Sequence, residues 1–322
     1  MLVPLVLSLG LAPAYLVLAT PLVFPRSLAQ RDSNSSHYGP LYPGLSSNNH
    51  TCFLESPILS CSGEADGRGE LVDTCCVETF GGLGLVTQFW DTYTGLEDQG
   101  QLLPKNNWTL HGYWPDFCNG SYTGYCDLLR QFDSDPSPPT LEDGTKVPPY
   151  DGPGITQILK EFGRYDLLDY MNTYWVSRGS PNEDFWAHEF SKHGTCYSTF
   201  QTACYGPKYV KNEDVIDFFD MAIRAYQEVP TYEWLAANNI VPSNSTRYTY
   251  SDIENALTEA YGAKPYIGCT DDNMIDQVWY YRHFYGRPQD LVYKVTDSTT
   301  DSSCSKDQGA ILYPEQSTGS VR

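Results

Sequence analysis

The sequence predicts a single α+β domain cross-linked by disulfides. Three observations carry this. Strand-like segments come first, helical stretches follow, and strands return near the end. Ten cysteines, an even number, are spread from Cys52 to Cys304, and no internal repeat divides the 322 residues. Regular alternation of strand and helix would instead signal a doubly wound parallel sheet.

Residues 2–24 carry no charge, and Pro4, Pro13 and Pro21 interrupt the apolar run before Arg26. Small residues around Ala19 and Ala29 suit cleavage, so residues 1–29 read as a signal peptide. Residues 30–50, rich in Ser, Asn, Pro and Gly, read as a flexible lead-in to a body over 51–304. LGLVTQFW (83–90) and WTLHGYWP (108–115) read as buried strands, and the Pro-studded 133–154 as a surface loop. Residues 155–176 place Ile155, Ile158, Leu159, Phe162, Tyr165 and Leu168 on one helical stripe. Residues 213–229 repeat it with Val215, Phe218, Phe219 and Ala222, behind an Asn212 cap. Ser251 to Glu254 has the spacing of a capping box opening a helix to about Tyr261. Residues 276–285 and 291–295, rich in Tyr and Val, return to strand, and 305–322 read as a short loose tail.

Lys and Arg number 20 against 40 Asp and Glu, a formal charge of −20 at pH 7. Because Lys and Arg carry non-specific affinity for phosphate, this charge by itself argues against a nucleic-acid partner. A mean hydropathy of −0.41 excludes a multi-span membrane protein. Without a C-x-x-C pair the cysteines do not suit zinc; they suit five disulfides in an oxidising compartment. Five sequons, at Asn34, Asn49, Asn107, Asn119 and Asn244, agree with secretion and with glycosylation at those positions.

Two segments concentrate the chemistry. In Trp108–Pro115, His111 lies in an apolar strand. In Phe185–Cys196 (FWAHEFSKHGTC), His188, Glu189, Lys192 and His193 fall within six residues. On a helix Glu189 and His193 are i,i+4 neighbours, as are His188 and Lys192. A carboxylate beside His193 should raise its pKa, and Lys192 should oppose that. A zinc-protease pattern needs two His four apart on one face, whereas His188 and His193 are five apart. Paired His groups with a Lys suit acid–base chemistry on a phosphodiester. RNA fits best among several acid–base hydrolase substrates, since its 2′-hydroxyl is an internal nucleophile and no metal is required. Trp and Tyr side chains nearby offer stacking faces for bases.

The two segments resemble the paired active-site motifs of the ribonuclease T2 family, W-x-x-H-G-L-W-P and F-W-x-H-E-W-x-K-H-G-T-C. Tyr113 stands where the family usually has Leu, and Phe190 where it has Trp. The resemblance implies an α+β fold with a central, mainly antiparallel sheet flanked by helices. It also implies a secreted endoribonuclease of low base specificity with no cofactor or metal. Single-stranded RNA would be the partner, not DNA, and the protein a monomer, free of the membrane once the signal is removed. A vacuolar or lysosome-like acid compartment is the alternative location.

Carried over by position, the resemblance makes His193 the general base and His111 the general acid. His188 would bind phosphate, and Glu189 with Lys192 would stabilise the pentacoordinate transition state. Trp114 and Tyr122 would stack on one base with Asp116 at its edge, and Gln88 and Phe185 would serve a second base site. The family's cysteine order implies Cys52–Cys76, Cys61–Cys118, Cys75–Cys204, Cys126–Cys196 and Cys269–Cys304. Outside these sets, Trp90, Trp175 and Trp279 read as core, His283 as structural, and Arg282 and Arg287 as surface charge. The resemblance also reverses the inference from charge. A carboxylate ~20 Å from the scissile phosphate costs only ~0.2 kcal/mol in water. Repulsion of RNA weakens as carboxylates protonate, which with a sequence pI near 4.5 points to an acidic optimum, roughly pH 4–6.

Overall fold

The computed structural model describes Cys52, residues 56–65 and residues 72–322. The expected signal peptide, the lead-in, Asn34 and Asn49 lie outside the described residues.

The apolar run of β1 (Leu83–Phe89) is buried along nearly its whole length because it has a strand on each side. It pairs antiparallel with β2 (Thr109–Asp116) and with β5 (Ile275–Phe284). Along the far side of β5 run β4 (Tyr266–Cys269) and β6 (Tyr293–Thr296), both antiparallel, completing a five-stranded sheet. One face, with Val86, Leu110, Tyr113, Val278 and Tyr280, packs in the main core against the helices. These are α1 (Ile155–Glu161), α2 (Tyr165–Tyr174), α3 (Asn182–Lys192), α4 (Glu213–Gln227), α5 (Thr231–Ala237) and α6 (Tyr250–Tyr261). The other face carries Leu83, Leu85 and Tyr281 under the partly buried Trp114, Tyr266 and Trp279. A two-stranded sheet joins β3 (Arg247–Tyr248) to β7 (Ile311–Leu312).

Five disulfides join Cys52 to Cys76, Cys61 to Cys118, Cys75 to Cys204, Cys126 to Cys196 and Cys269 to Cys304. No helix among the described residues is long and apolar enough to cross a membrane.

Several local expectations give way to tertiary contacts. The stripe over 155–176 is two helices, because Gly163 takes a left-handed φ of 68° between them. Asn212 precedes α4 at φ 72° and its side chain makes no cap bond; an extended backbone is what side-chain capping requires. Helix α6 starts one residue before the expected box, and its N-cap is Thr249, whose hydroxyl accepts from the Gly309 N–H instead. Arg282 and Arg287 are buried rather than surface charges. Arg282 lies 3.9 Å from the Tyr293 ring centroid, with Nη1 3.0 Å from Glu228, and Arg287 pairs with Asp290 at 2.6 Å. Aromatic faces and carboxylates compensate their desolvation. Trp90 and Trp175 are core, but Trp279 is half-buried beside Trp114.

The segment 305–322 is not a loose tail. Ile311 pairs with Tyr248, and Tyr313 is fully buried, with its hydroxyl accepting from Trp108 Nε1 at 2.9 Å. Apolar Ile311 and Tyr313 complete the core beneath β2, a role that eighteen mostly polar residues do not display in sequence. Tyr313→Ala removes this ring and orphans the Trp108 donor, so it should cost roughly 3–5 kcal/mol in urea unfolding. Stability equal to wild type would show the segment to be dispensable.

Candidate active site

The site begins with an irregularity in β2. Thr87 faces Gly112 and Gln88 faces Leu110, so His111 is an extra residue without a partner on β1. Strict alternation would send Leu110 and Tyr113, three apart, to opposite faces. The bulge lets both enter the core and leaves His111 and Trp114 together, with ring centroids 4.7 Å apart. The His111 imidazole stacks on Phe89 at 3.9 Å and has Phe185 at 5.5 Å. Its carbonyl accepts from Trp175 Nε1, which fixes the strand to the core.

Helix α3 supplies the second half. Pro181 precedes it, Glu183 and Asp184 occupy its first turn, and Trp186, Ala187 and Phe190 form its buried stripe. The helix ends at Lys192. His193 caps it in the right-handed region at φ −106°, its N–H still donating to the Glu189 carbonyl. The His188 and His193 ring centroids lie 6.3 Å apart.

Glu189 sits between the two halves and is completely buried. Its Oε2 accepts from Trp114 Nε1 at 2.8 Å, and its Oε1 is 3.5 Å from His111 Nε2. Trp114 in turn stacks on His193 at 4.9 Å. Gly112 makes this possible, since a Cβ there would fall 1.9 Å from Glu189 Oε2. Burial would raise the Glu189 pKa, but the surrounding His193, His111 and His188 outweigh it and hold the group below the usual carboxylate range. At His193 the expectation of a raised pKa fails. Burial pushes it down and wins over the pull of Glu189, with Lys192, His188 and His111 pushing the same way. The outcome is a carboxylate beside a neutral imidazole.

His188 faces a cavity of about 240 Å³ whose lining includes Asp133, Asp135, Ser180, Asp184 and Phe185. Its Nδ1 lies 2.9 Å from Asp133 Oδ2, an oxygen that also accepts from the Tyr125 hydroxyl at 2.8 Å. His188, Glu189 and His193 each offer a ligand atom within 4.8 Å of the others, so a cation could be held there.

The structure thus gathers His111, His188, Glu189, His193, Trp114 and Phe185, with Lys192 next to His193. Asp116 is buried on the Trp114 face of β2, and burial pushes its carboxyl up to about 7. Tyr122 stands exposed on the loop after β2. Gln88 is the exception to the expected base-site set. It is fully buried, its amide donating to the Val229 carbonyl at 2.8 Å and accepting from the Thr231 hydroxyl, so it presents nothing to a ligand. Period-2 alternation along β1 puts it on the core face with Val86. Asn119 and Asn244 are exposed, and Asn107 is half-buried with its Oδ1 accepting from Tyr226. Phe89, Tyr125 and Asp133 went unnoticed in sequence. Only their proximity to a histidine marks them, and that is a tertiary property.

Comparison with known proteins decides the family. The model of the ribonuclease T2 family matches residues 81–307. The chain belongs to the ribonuclease T2 family. Among curated T2 relatives, ribonuclease T2 of Aspergillus oryzae is 36% identical over 78% of this chain and 81% of its own length. A ribonuclease T2-like protein of Candida albicans is also 36% identical, over 79% of this chain. The chain spans 57% of that longer relative, and similarly little more than half of another from Aspergillus fumigatus. The crystal structure of Actibind, a T2 ribonuclease, superimposes with a TM-score of 0.66 at 34% identity, covering 81% of this chain and 97% of that one.

A carboxyl whose folded pKa is raised contributes stability that is lost as pH rises through the folded value. Asp116→Asn, which removes the ionising group, should therefore raise the melting temperature relative to wild type more at pH 8 than at pH 5. A difference independent of pH would place the Asp116 carboxyl in the ordinary range.

Proposed function

We propose that this T2-family protein is a secreted, metal-independent endoribonuclease that cleaves single-stranded RNA with low base specificity. The observation that carries the reading is the pairing of a buried, neutral His193 with the partly exposed His111 around one ionised carboxylate, Glu189. His193, neutral because it is buried, removes the proton from the 2′-hydroxyl. The 2′-oxygen attacks phosphorus, the P–O5′ bond breaks, and His111 gives its proton to the departing 5′-oxygen. The product is a 2′,3′-cyclic phosphate. Water then opens it to a 3′-phosphate with the two histidines exchanging roles. DNA, lacking the 2′-hydroxyl, is not a substrate.

His188 holds the phosphate, and Lys192 supplies positive charge against the pentacoordinate transition state. Glu189 has no exposed surface and one oxygen committed to Trp114, so it acts by orienting and biasing the imidazoles around it. Trp114 and Tyr122 provide stacking faces, Asp116 a hydrogen-bonding edge and Phe185 an apolar wall on the far side. The five disulfides support an oxidising destination, either outside the cell or in an acid compartment. The protein works as a monomer, since both halves of the site come from one chain.

Digestion of single-stranded RNA in EDTA should proceed and yield 2′,3′-cyclic phosphates among early products. His111→Ala and His193→Ala should each lose at least the ~10²–10⁴-fold typical of general acid–base catalysis while remaining folded. Near-full activity in either variant, or activity abolished by EDTA, would refute the assignment.

The pH dependence carries a sign. A base whose pKa is lowered stays unprotonated as pH falls, so the acid limb of kcat/KM lies below the range of an ordinary imidazole. Glu189 opposes that lowering. Glu189→Gln should therefore shift the acid limb to still lower pH while reducing the rate; a shift to higher pH would exclude His193 as the base.

A further inference from the structure

We propose that Asp133 is a positioning residue for this reaction: it fixes the His188 ring so that Nε2 faces the scissile phosphate, and Tyr125 fixes Asp133. The proposal rests on the reading that His188 holds the phosphate.

Three separate segments meet at one oxygen. Asp133 opens the Pro-rich loop, Tyr125 precedes that loop by eight residues, and His188 lies on α3. Asp133 is 3% exposed, and both of its oxygens are used. Oδ2 takes His188 Nδ1 at 2.9 Å and the Tyr125 hydroxyl at 2.8 Å, while Oδ1 accepts the Asp135 N–H at 2.9 Å. The Asp133 carbonyl accepts from the Tyr150 N–H, and the Tyr125 hydroxyl accepts from the Ser137 N–H. The carboxylate is thus held by the loop itself and cannot follow the ring.

The proton on His188 follows from the donor inventory. An ionised carboxylate only accepts, so its 2.9 Å contact with Nδ1 requires the proton on that nitrogen; the Tyr125 hydroxyl, 3.2 Å from Nδ1, then donates to Oδ2. Burial alone would raise the Asp133 pKa, but the bonds from His188 and Tyr125 outweigh this and hold it below the usual range. With Nδ1 occupied, Nε2 is the nitrogen left for a ligand in the cavity. The other charged groups around this ring are Asp135 and Asp184 on the cavity wall and Glu189 and His193 on its own segment. Among the described residues, Nδ1 is bonded by Asp133 and approached by the Tyr125 hydroxyl, not by these groups. The same logic orients histidines that ligate metals or act in catalytic triads, where replacing the outer partner by an amide can select the wrong tautomer.

The test combines Asp133→Asn with ¹⁵N NMR of the His188 ring and with a double-mutant cycle. In the wild type, neutral His188 should carry its proton on Nδ1. In Asp133→Asn the amide can donate to Nδ1, so the proton should move to Nε2. For RNA, kcat/KM should fall about 10–100-fold, mainly through KM. In a His188→Gln background the same change should cost nothing further. An unchanged tautomer, or an equal loss in the His188→Gln background, would overturn the proposal. Wild-type activity in His188→Gln alone would instead defeat the phosphate reading and leave the NMR result standing. Should Asp133→Asn fail to fold, Tyr125→Phe decides: a few-fold rise in KM with an altered His188 shift is expected, and no change in either would overturn the proposal.

Discussion

A single buried charge, the carboxylate of Glu189, sets the constraints on the rest of the site. An ionised group with no solvent access is tolerated only when it is bonded and paired. Trp114 donates to one oxygen and His111 approaches the other, while His193 and His188 lie within electrostatic reach. Each partner imposes a demand on the backbone. Trp114 and His111 can share a face only through the bulge in β2, and Glu189 can approach β2 only because residue 112 lacks a side chain. Helix α3 ends at Lys192, and the Cys126–Cys196 disulfide anchors the turn directly after His193.

On the proposed reading, this arrangement lets so acidic a chain address a polyanion. Net charge acts at long range through water and salt, where it is weak; contact groups act in a partly desolvated pocket, where they dominate. Burial also separates the histidines by environment. His193 is enclosed and neutral, while His111 and His188 keep some solvent access. Three residues of one type thus gain three environments from the fold.

Much was legible along the chain because it depends on local pattern. The β1, β2 and β5 segments, the α4 stripe and the two histidine-bearing motifs follow from periodicity and residue type. The failures share one cause. Gln88 looked available but lies on the core face of β1 with Val86, where Val229 and Thr231 use its amide. Arg282 looked like surface charge because nothing nearby in sequence announces the Tyr293 ring or Glu228; Arg287 has Asp290 three residues on, and only its burial is a tertiary property. The polar composition of 305–322 concealed two side chains that finish the core.

Sequence alone was enough for the α+β class, the acidic charge, the cysteine-rich character and the two histidine-bearing segments, since these are matters of composition and spacing. Tertiary structure alone decided which carboxylate serves which imidazole and which histidine is neutral. Glu189 meets Trp114 from 75 residues away, and His188 meets Asp133 from 55. Protonation at these positions depends on desolvation and on charges brought together across such distances, and neither quantity exists until the chain has folded.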